Sequence, residues 1–243
     1  MNRGLYTAAT GMAAGQAWLD SVAHNLANAS TTGYKRDEMA FQESLLREMR
    51  DGGGEGRLLG TLQTGPEISA TATVFERGAT QTTGNGLDVS ISTEKGMFAV
   101  QTPGGVMYTR AGNFGLDDQR QIVNPNGFPV LDASGNPITV SAPGPVRITN
   151  DGSVTVGDQV LGKVAVFDGD WKKAGDSLFT AIGNVTAEPN AVLTPESIES
   201  SNVNVVSTMI EMVQVQRIYE MAQKSVQAHD EMSSKLIEAA RTQ

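Results

Sequence analysis

The stretch NLANASTTGYKR, residues 25–36, closes a run of small and apolar residues, and its reading decides the fold. Upstream of it Leu5, Met12, Leu19 and Leu26 recur every seven residues, with Ala9, Gln16 and Ala23 between them at alternating steps of four and three. That is heptad spacing, and it predicts a helix with one narrow apolar stripe. The small residues Ala8, Ala9, Gly15 and Ala23 let another helix approach closely. Within 25–36, Asn28, Ser30 and Thr31 favour local side-chain to backbone hydrogen bonds, and Gly33 tolerates positive φ, so the stretch ends the helix and turns the chain.

The far end of the chain mirrors this beginning. Val205, Met209, Met212, Val215, Tyr219, Ala222, Val226, Met232 and Leu236 fall at steps of about three, four or seven. The polar run SSNVN, residues 200–204, supplies cap candidates, and neither Pro nor Gly occurs from 202 to 243. A helix over about 204–240 would be roughly 55 Å long at 1.5 Å per residue, too long for most compact cores.

Between the two ends the texture changes. Residues 66–195 hold most of the prolines, with short β-type runs at 87–92, 97–102, 106–110, 146–149, 154–156 and 160–167. Turn pairs such as Gly104-Gly105, Ser134-Gly135 and Asp151-Gly152 separate them. The expected fold class is therefore α+β, mainly β: an antiparallel β domain in the middle, with long N- and C-terminal helices. A narrow stripe suits helix pairing better than a broad globular core, so the two helices are expected to pair as a coiled-coil-like α domain. The expected organisation is an N-terminal helix over 1–33, an extended linker region over 34–65 with a flexible Gly52-Gly53-Gly54, a β domain over 66–195 and a C-terminal helix over 196–243.

Composition narrows the partners. A formal net charge of -9 removes the basic field that phosphate backbones attract, so nucleic acid is not expected. With no cysteine there is neither a disulfide framework nor a thiolate metal site. The N-terminus lacks the continuous apolar core of a secretory signal peptide, and no apolar run has the length to span a bilayer.

Three motifs, in order, then carry a resemblance over nearly the whole chain. The run TAATGMAAGQAWLDSVAHNLANASTTGYKR, residues 7–36, resembles the N-terminal signature of the bacterial flagellar rod and hook protein family, with Asn25, Asn28, Thr31, Gly33, Tyr34 and Lys35 in its loop. The run ESSNVNVVSTMIEMVQVQRIYEMAQKSVQAHDEM, residues 199–232, resembles that family's closing signature. Ser201, Asn202 and Asn204 stand in its SNVN, and Gln216, Arg217, Tyr219 and Glu220 in its QR-x-YE. The segment GNGLDVSISTEKGMFAVQTPGGVMYTRAGNFGLDDQRQIVNPNGFPVL, residues 84–131, is similar to the β domain shared by proximal and distal rod proteins.

The resemblance implies a structural subunit of the basal-body rod, polymerising through its terminal helices into the tube that transmits motor torque to the hook. It implies export through the flagellar type III apparatus without a cleaved signal peptide, and residence in the periplasm-spanning rod. Its implied partners are copies of itself, other rod proteins, the hook protein or the distal rod at one end, and the surrounding rings and peptidoglycan, with no membrane insertion. Leu5, Met12, Leu19, Leu26, Val205, Met209, Met212, Tyr219 and Val226 become assembly-helix positions, and Phe41 and Leu45 match the Phe-x-x-x-hydrophobic spacing of an export motif. The segment after Arg50 lacks the longer insertion expected of a distal rod protein, which puts the proximal rod first and the distal rod second.

Catalysis is weighed and set aside. Gly175-Asp176-Ser177-Leu178 matches the short motif of a serine hydrolase class, yet a nucleophilic serine needs a base within reach. The two histidines, His24 and His229, lie on the expected terminal helices, and neither follows an Asp three positions earlier. The same residues also fit the family's Gly-Asp-x-Leu-Phe pattern over 175–179. Asp168-Gly169-Asp170 lacks the rest of a calcium loop, and no cofactor or metal is expected. The remaining alternative is a non-structural flagellar assembly factor or a hydrolase using Ser177.

Overall fold

The computed structural model describes the backbone of residues 2–43, 47–50, 58–62, 66–175 and 177–241. Two compact units emerge: one joins 1–27, 37–72 and 204–243, the other joins 28–36 to 73–203.

The second unit is the β domain. Strands Val146–Ile148, Ser153–Val156 and Gln159–Lys163 form an antiparallel meander. Val146, Ile148, Val154 and Val156 turn inward while Arg147 points to solvent. The register sets Val146 opposite Val156 and Ile148 opposite Val154, so one face of the pair is apolar throughout. Strands Met97–Thr102, Gly105–Thr109, Leu178–Ala187 and Val166–Gly175 close on one another as a small antiparallel barrel.

The first four residues of strand Met97–Thr102 read as an unbroken apolar run because both faces are covered there. Phe98 and Val100 enter the main core with Val89, Ile122, Val130, Val154 and Leu193. Met97, pointing the other way, joins a smaller cluster with Trp171 and Phe179. Phe98 meets Phe114 edge-on at 5.1 Å, and the Trp171 indole donates to the Lys95 carbonyl at 2.6 Å, so the ring is buried without leaving its N–H unpaired.

Two features depart from the sequence reading. The run 160–167, expected as one strand, splits into Gln159–Lys163 and the start of Val166–Gly175, because the chain leaves the meander at Val164 and Ala165 to enter the barrel. The long hairpin 166–187 was not expected as a whole, since the outer halves of its strands are largely polar and exposed.

In the first unit, α1 (Asn2–Ala27) and α2 (Val205–Arg241) pack against each other. At 1.5 Å per residue α2 is about 55 Å long. The segment 37–72, expected for the most part as linker, carries strands, including Asp37–Glu43 and the antiparallel pair Arg47–Arg50 with Leu58–Leu62. Gly52-Gly53-Gly54 lies outside the described residues. Among the described residues no helix is long and apolar enough to cross a membrane.

Candidate assembly interface and its signature loops

The two helices meet along a seam of small residues. On α1 the inward positions are Gly15, Trp18, Val22 and Asn25, at steps of three and four, with Ala14 beside them. On α2 they are Thr208, Met212, Val215, Tyr219, Ala222, Val226 and His229, again at steps of four and three. Gly15 faces the Tyr219 ring, where an added Cβ would sit 3.7 Å from it. The Trp18 indole donates to the Glu211 carboxylate at 2.9 Å. As α1 runs back from Trp18 to Gly15, its partner on α2 advances from Glu211 to Tyr219, so the helices are antiparallel.

This seam differs from the stripe expected on α1. Leu19 follows Trp18 by one residue, which is about 100° around the helix. Met12, Leu19 and Leu26 are only half-buried on the flank, and the side chain of Leu5 lies outside the described ones. Counting large apolar residues finds the wrong face here because close helix approach selects small ones, and glycine carries no hydropathy signal. On α2, Met212, Tyr219 and Val226 lie in the seam, whereas Val205 and Met209 are exposed.

The loop 28–36 belongs to the β unit although helical-unit residues flank it on both sides. Thr31 donates to the Asn28 side chain at 3.1 Å and closes the turn. Gly33 follows at φ +68, where a Cβ would lie 2.5 Å from the Ala111 backbone nitrogen, so both the conformation and the space require glycine. Its N–H donates to the Glu199 carbonyl at 2.8 Å.

Tyr34 and Lys35 are then driven inward. Tyr34 is buried with the Lys173 ammonium 4.0 Å from its ring centre, and Lys173 also donates to the Lys35 carbonyl at 2.9 Å. Lys35 donates to the Glu199 carboxylate at 2.6 Å and to the Glu76 carbonyl at 2.7 Å, with none of its side chain exposed.

Arg110 completes this cluster. Its Nε donates to the other Glu199 oxygen at 2.7 Å, and its terminal nitrogens donate to the carbonyls of Ile91, Thr93, Glu94 and Gly96. All five guanidinium donors are thus matched. The Gly78 N–H donates to Glu199 as well, at 3.0 Å. Two cations share one carboxylate, and main-chain carbonyl dipoles offset the surplus positive charge. Burial pushes the pKa of Lys35 and of Arg110 down, against the pull of Glu199. For Glu199 burial works upward, but Arg110 and Lys35 outweigh it and hold the carboxyl below its ordinary value.

The closing signature meets the same loop. The Asn202 side chain accepts from the Arg36 N–H at 2.7 Å and donates to the Val74 carbonyl at 2.8 Å. The Ser201 hydroxyl accepts from Val203 N–H at 3.3 Å. Within the helical unit, Asn204 accepts from the Ser207 N–H at 3.2 Å and caps α2. Asn25 at the end of α1 exchanges two bonds with the Asp37 backbone, donating at 2.7 Å and accepting at 2.9 Å.

The other expected sites are placed as follows. Gln216, Arg217 and Glu220 are exposed on α2. Phe41 lies on the strand Asp37–Glu43, and Leu45 lies outside the described residues. Ser177 sits at φ +59 in the turn of the barrel hairpin, where its carbonyl accepts from the Thr109 hydroxyl. Sequence reasoning missed Arg110 and Glu199, since an isolated Arg after a strand and an acid before a polar run look solvated. The one available signal was their position inside quoted motifs.

Comparison with known proteins accounts for all three segments. Residues 5–35 match the family described as flagella basal body rod protein, 93–156 the flagellar hook protein FlgE/F/G D1 domain, and 194–239 the flagellar basal body rod FlgEFG protein C-terminal. The chain is 34% identical to the flagellar basal-body rod protein FlgG of Caulobacter vibrioides, covering 94% of this chain and 95% of the relative. It is 31% identical to FlgF of the same organism, covering 90% of each. A FlgG of Buchnera aphidicola from Schizaphis graminum is 30% identical over 96% of this chain and 97% of its own length. The antiparallel terminal helices, the locked signature loops and these full-length likenesses agree: the chain belongs to the flagellar basal-body rod protein family and is a structural subunit of the rod.

Proposed function

We propose that the protein polymerises through its terminal helices, paired in coiled-coil fashion, into the tube that carries motor torque to the hook. The observation that supports this is the α1–α2 pairing itself. The chain ends pack on each other along a seam of small residues, as a repeating helical layer requires, and the role needs no catalytic group. Torque would pass from helix to β domain through the loops at 28–36 and 199–204, where Lys35, Arg110, Glu199 and Asn202 tie three chain segments together.

The finer placement belongs to the same reading: export through the type III apparatus without a cleaved signal peptide, aided by Phe41 and Leu45, and residence across the periplasm beside the rings and peptidoglycan. The argument from a missing insertion after Arg50 loses force, because the chain covers 95% and 97% of two relatives named FlgG, the distal rod protein. Immunogold labelling of purified hook-basal bodies, with the motility of a deletion strain, tests the proposal. Label on the rod together with lost swimming supports it, and label position assigns proximal or distal. Unlabelled, intact basal bodies in a deletion strain that still swims would overturn it.

A further inference from the structure

Pairing α1 with α2 uses one face of each helix and leaves an unusual one outside. On α2, Val206, Ile210 and Val213 lie opposite the seam and are 68%, 55% and 50% exposed. Large aliphatic side chains at this spacing form a stripe that a helix facing only water has no reason to carry. Arg217 continues the stripe one turn on, exposed and without a partner among the described residues, although it stands in the closing signature.

The outer face of α1 is its complement. Ala13, Ala23 and Ala27 are exposed there, and Asp20 among them accepts, among the described residues, only from Gln16 on its own helix, at 2.9 Å. Within one chain the two faces point away from the seam and do not meet. Between copies they fit in size and in charge.

We infer that the outer face of α2 docks on the outer face of α1 of a second copy of this chain, with Arg217 paired to Asp20. This rests on the polymer reading above and adds the face, the register and the neighbour. Copies stacked along one axis all point their α1 helices one way and their α2 helices the other, so the contact is antiparallel. With Arg217 level with Asp20, Ile210 falls level with Ala27 and Val213 within one residue of Ala23, setting each aliphatic side chain over a small one. The two faces are different surfaces, so the contact is heterologous and propagates instead of closing as a dimer.

The chain has no cysteine, which makes a direct test simple. Full-length Ala23→Cys and Val213→Cys proteins are mixed, allowed to polymerise, pelleted and oxidised. A disulfide-linked dimer containing one of each, absent when either protein is oxidised alone, is the expected result. Asp20→Arg and Arg217→Asp should each cut the pelleted fraction severalfold, and the double exchange should restore it. Pelleted polymer without the mixed disulfide, or indifferent to both charge reversals, overturns the docking face while leaving the rod reading intact. A wild-type chain that never pellets, with its helices folded by circular dichroism, would sink self-docking and the polymer reading together.

Discussion

Lys35 and Arg110 hold opposite oxygens of the one Glu199 carboxylate, at 2.6 and 2.7 Å, and all three side chains are almost completely buried. Removing the acid therefore differs from removing a base. Glu199→Gln leaves two buried cations facing each other, and breaking such a cluster is expected to destabilise the β domain by about 3–5 kcal/mol. Lys35→Met leaves the Arg110–Glu199 pair balanced, and the Glu76 carbonyl keeps the bond that the Asn202 amide donates at 3.1 Å, so the loss is about 1–3 kcal/mol. Thermal unfolding should rank the variants in that order, and a Lys35→Met protein as unstable as Glu199→Gln would contradict this account of the charge.

The same carboxylate sets an acid limit. Glu199 titrates below its ordinary value when folded, so its contribution is complete above the unfolded value of about 4.3 and fades as pH falls through the folded one. Asp151, held at about 2 by the Thr149 and Ser153 hydroxyls, adds to the same limb with the same sign. Because Asp151 is present in both proteins, comparing wild type with Glu199→Gln isolates Glu199. Their melting temperatures should lie far apart at neutral pH and converge below about pH 4. A gap that stays constant down to pH 2 would mean that the carboxylate charge is not what the cluster uses.

Gly33 is a sharper test of the signature loop. An alanine there meets the backbone of Arg110 and Ala111 at 2.6 and 2.5 Å, and the backbone cannot yield as a flexible side chain would. Gly84 also has positive φ, +77, but open space around it. Gly84→Ala should cost about 1 kcal/mol from the backbone conformation alone, and Gly33→Ala about 3 kcal/mol or more. Equal losses in denaturant titrations would show that the loop is not packed as described.

How far the sequence could be read follows from what each signal measures. Strands Met97–Thr102 and Val146–Ile148 were visible because burial of apolar residues is written directly into their pattern. The end of α1 was visible because Asn28, Thr31 and Gly33 have local turn chemistry. The seam was not: Gly15 matters by what it leaves out, and periodicity counts only what is present. The Lys35–Glu199–Arg110 cluster joins residues 164 and 89 positions apart, so no local window contains it. The residues of GYK could be quoted as a motif, yet their inward direction depends on a β domain that follows them in the chain.

The helix seam yields a last prediction. Gly15 has room for a methyl group, since a Cβ would rest 3.7 Å from the Tyr219 ring, an ordinary contact. Gly15→Ala should therefore be neutral or stabilising, by up to about 1 kcal/mol, because alanine restricts the unfolded helix more than glycine does. Gly15→Leu instead needs space that Tyr219 occupies, so it should force the helices apart at this level and destabilise their pairing by about 1–3 kcal/mol. Combining Gly15→Leu with Tyr219→Ala vacates that space and should recover part of the loss, as expected of residues in direct contact. Melting of the helical circular dichroism signal across the four proteins measures this coupling. If the two changes simply add, Gly15 and Tyr219 do not face each other, and the seam must lie on the Leu19 side of α1.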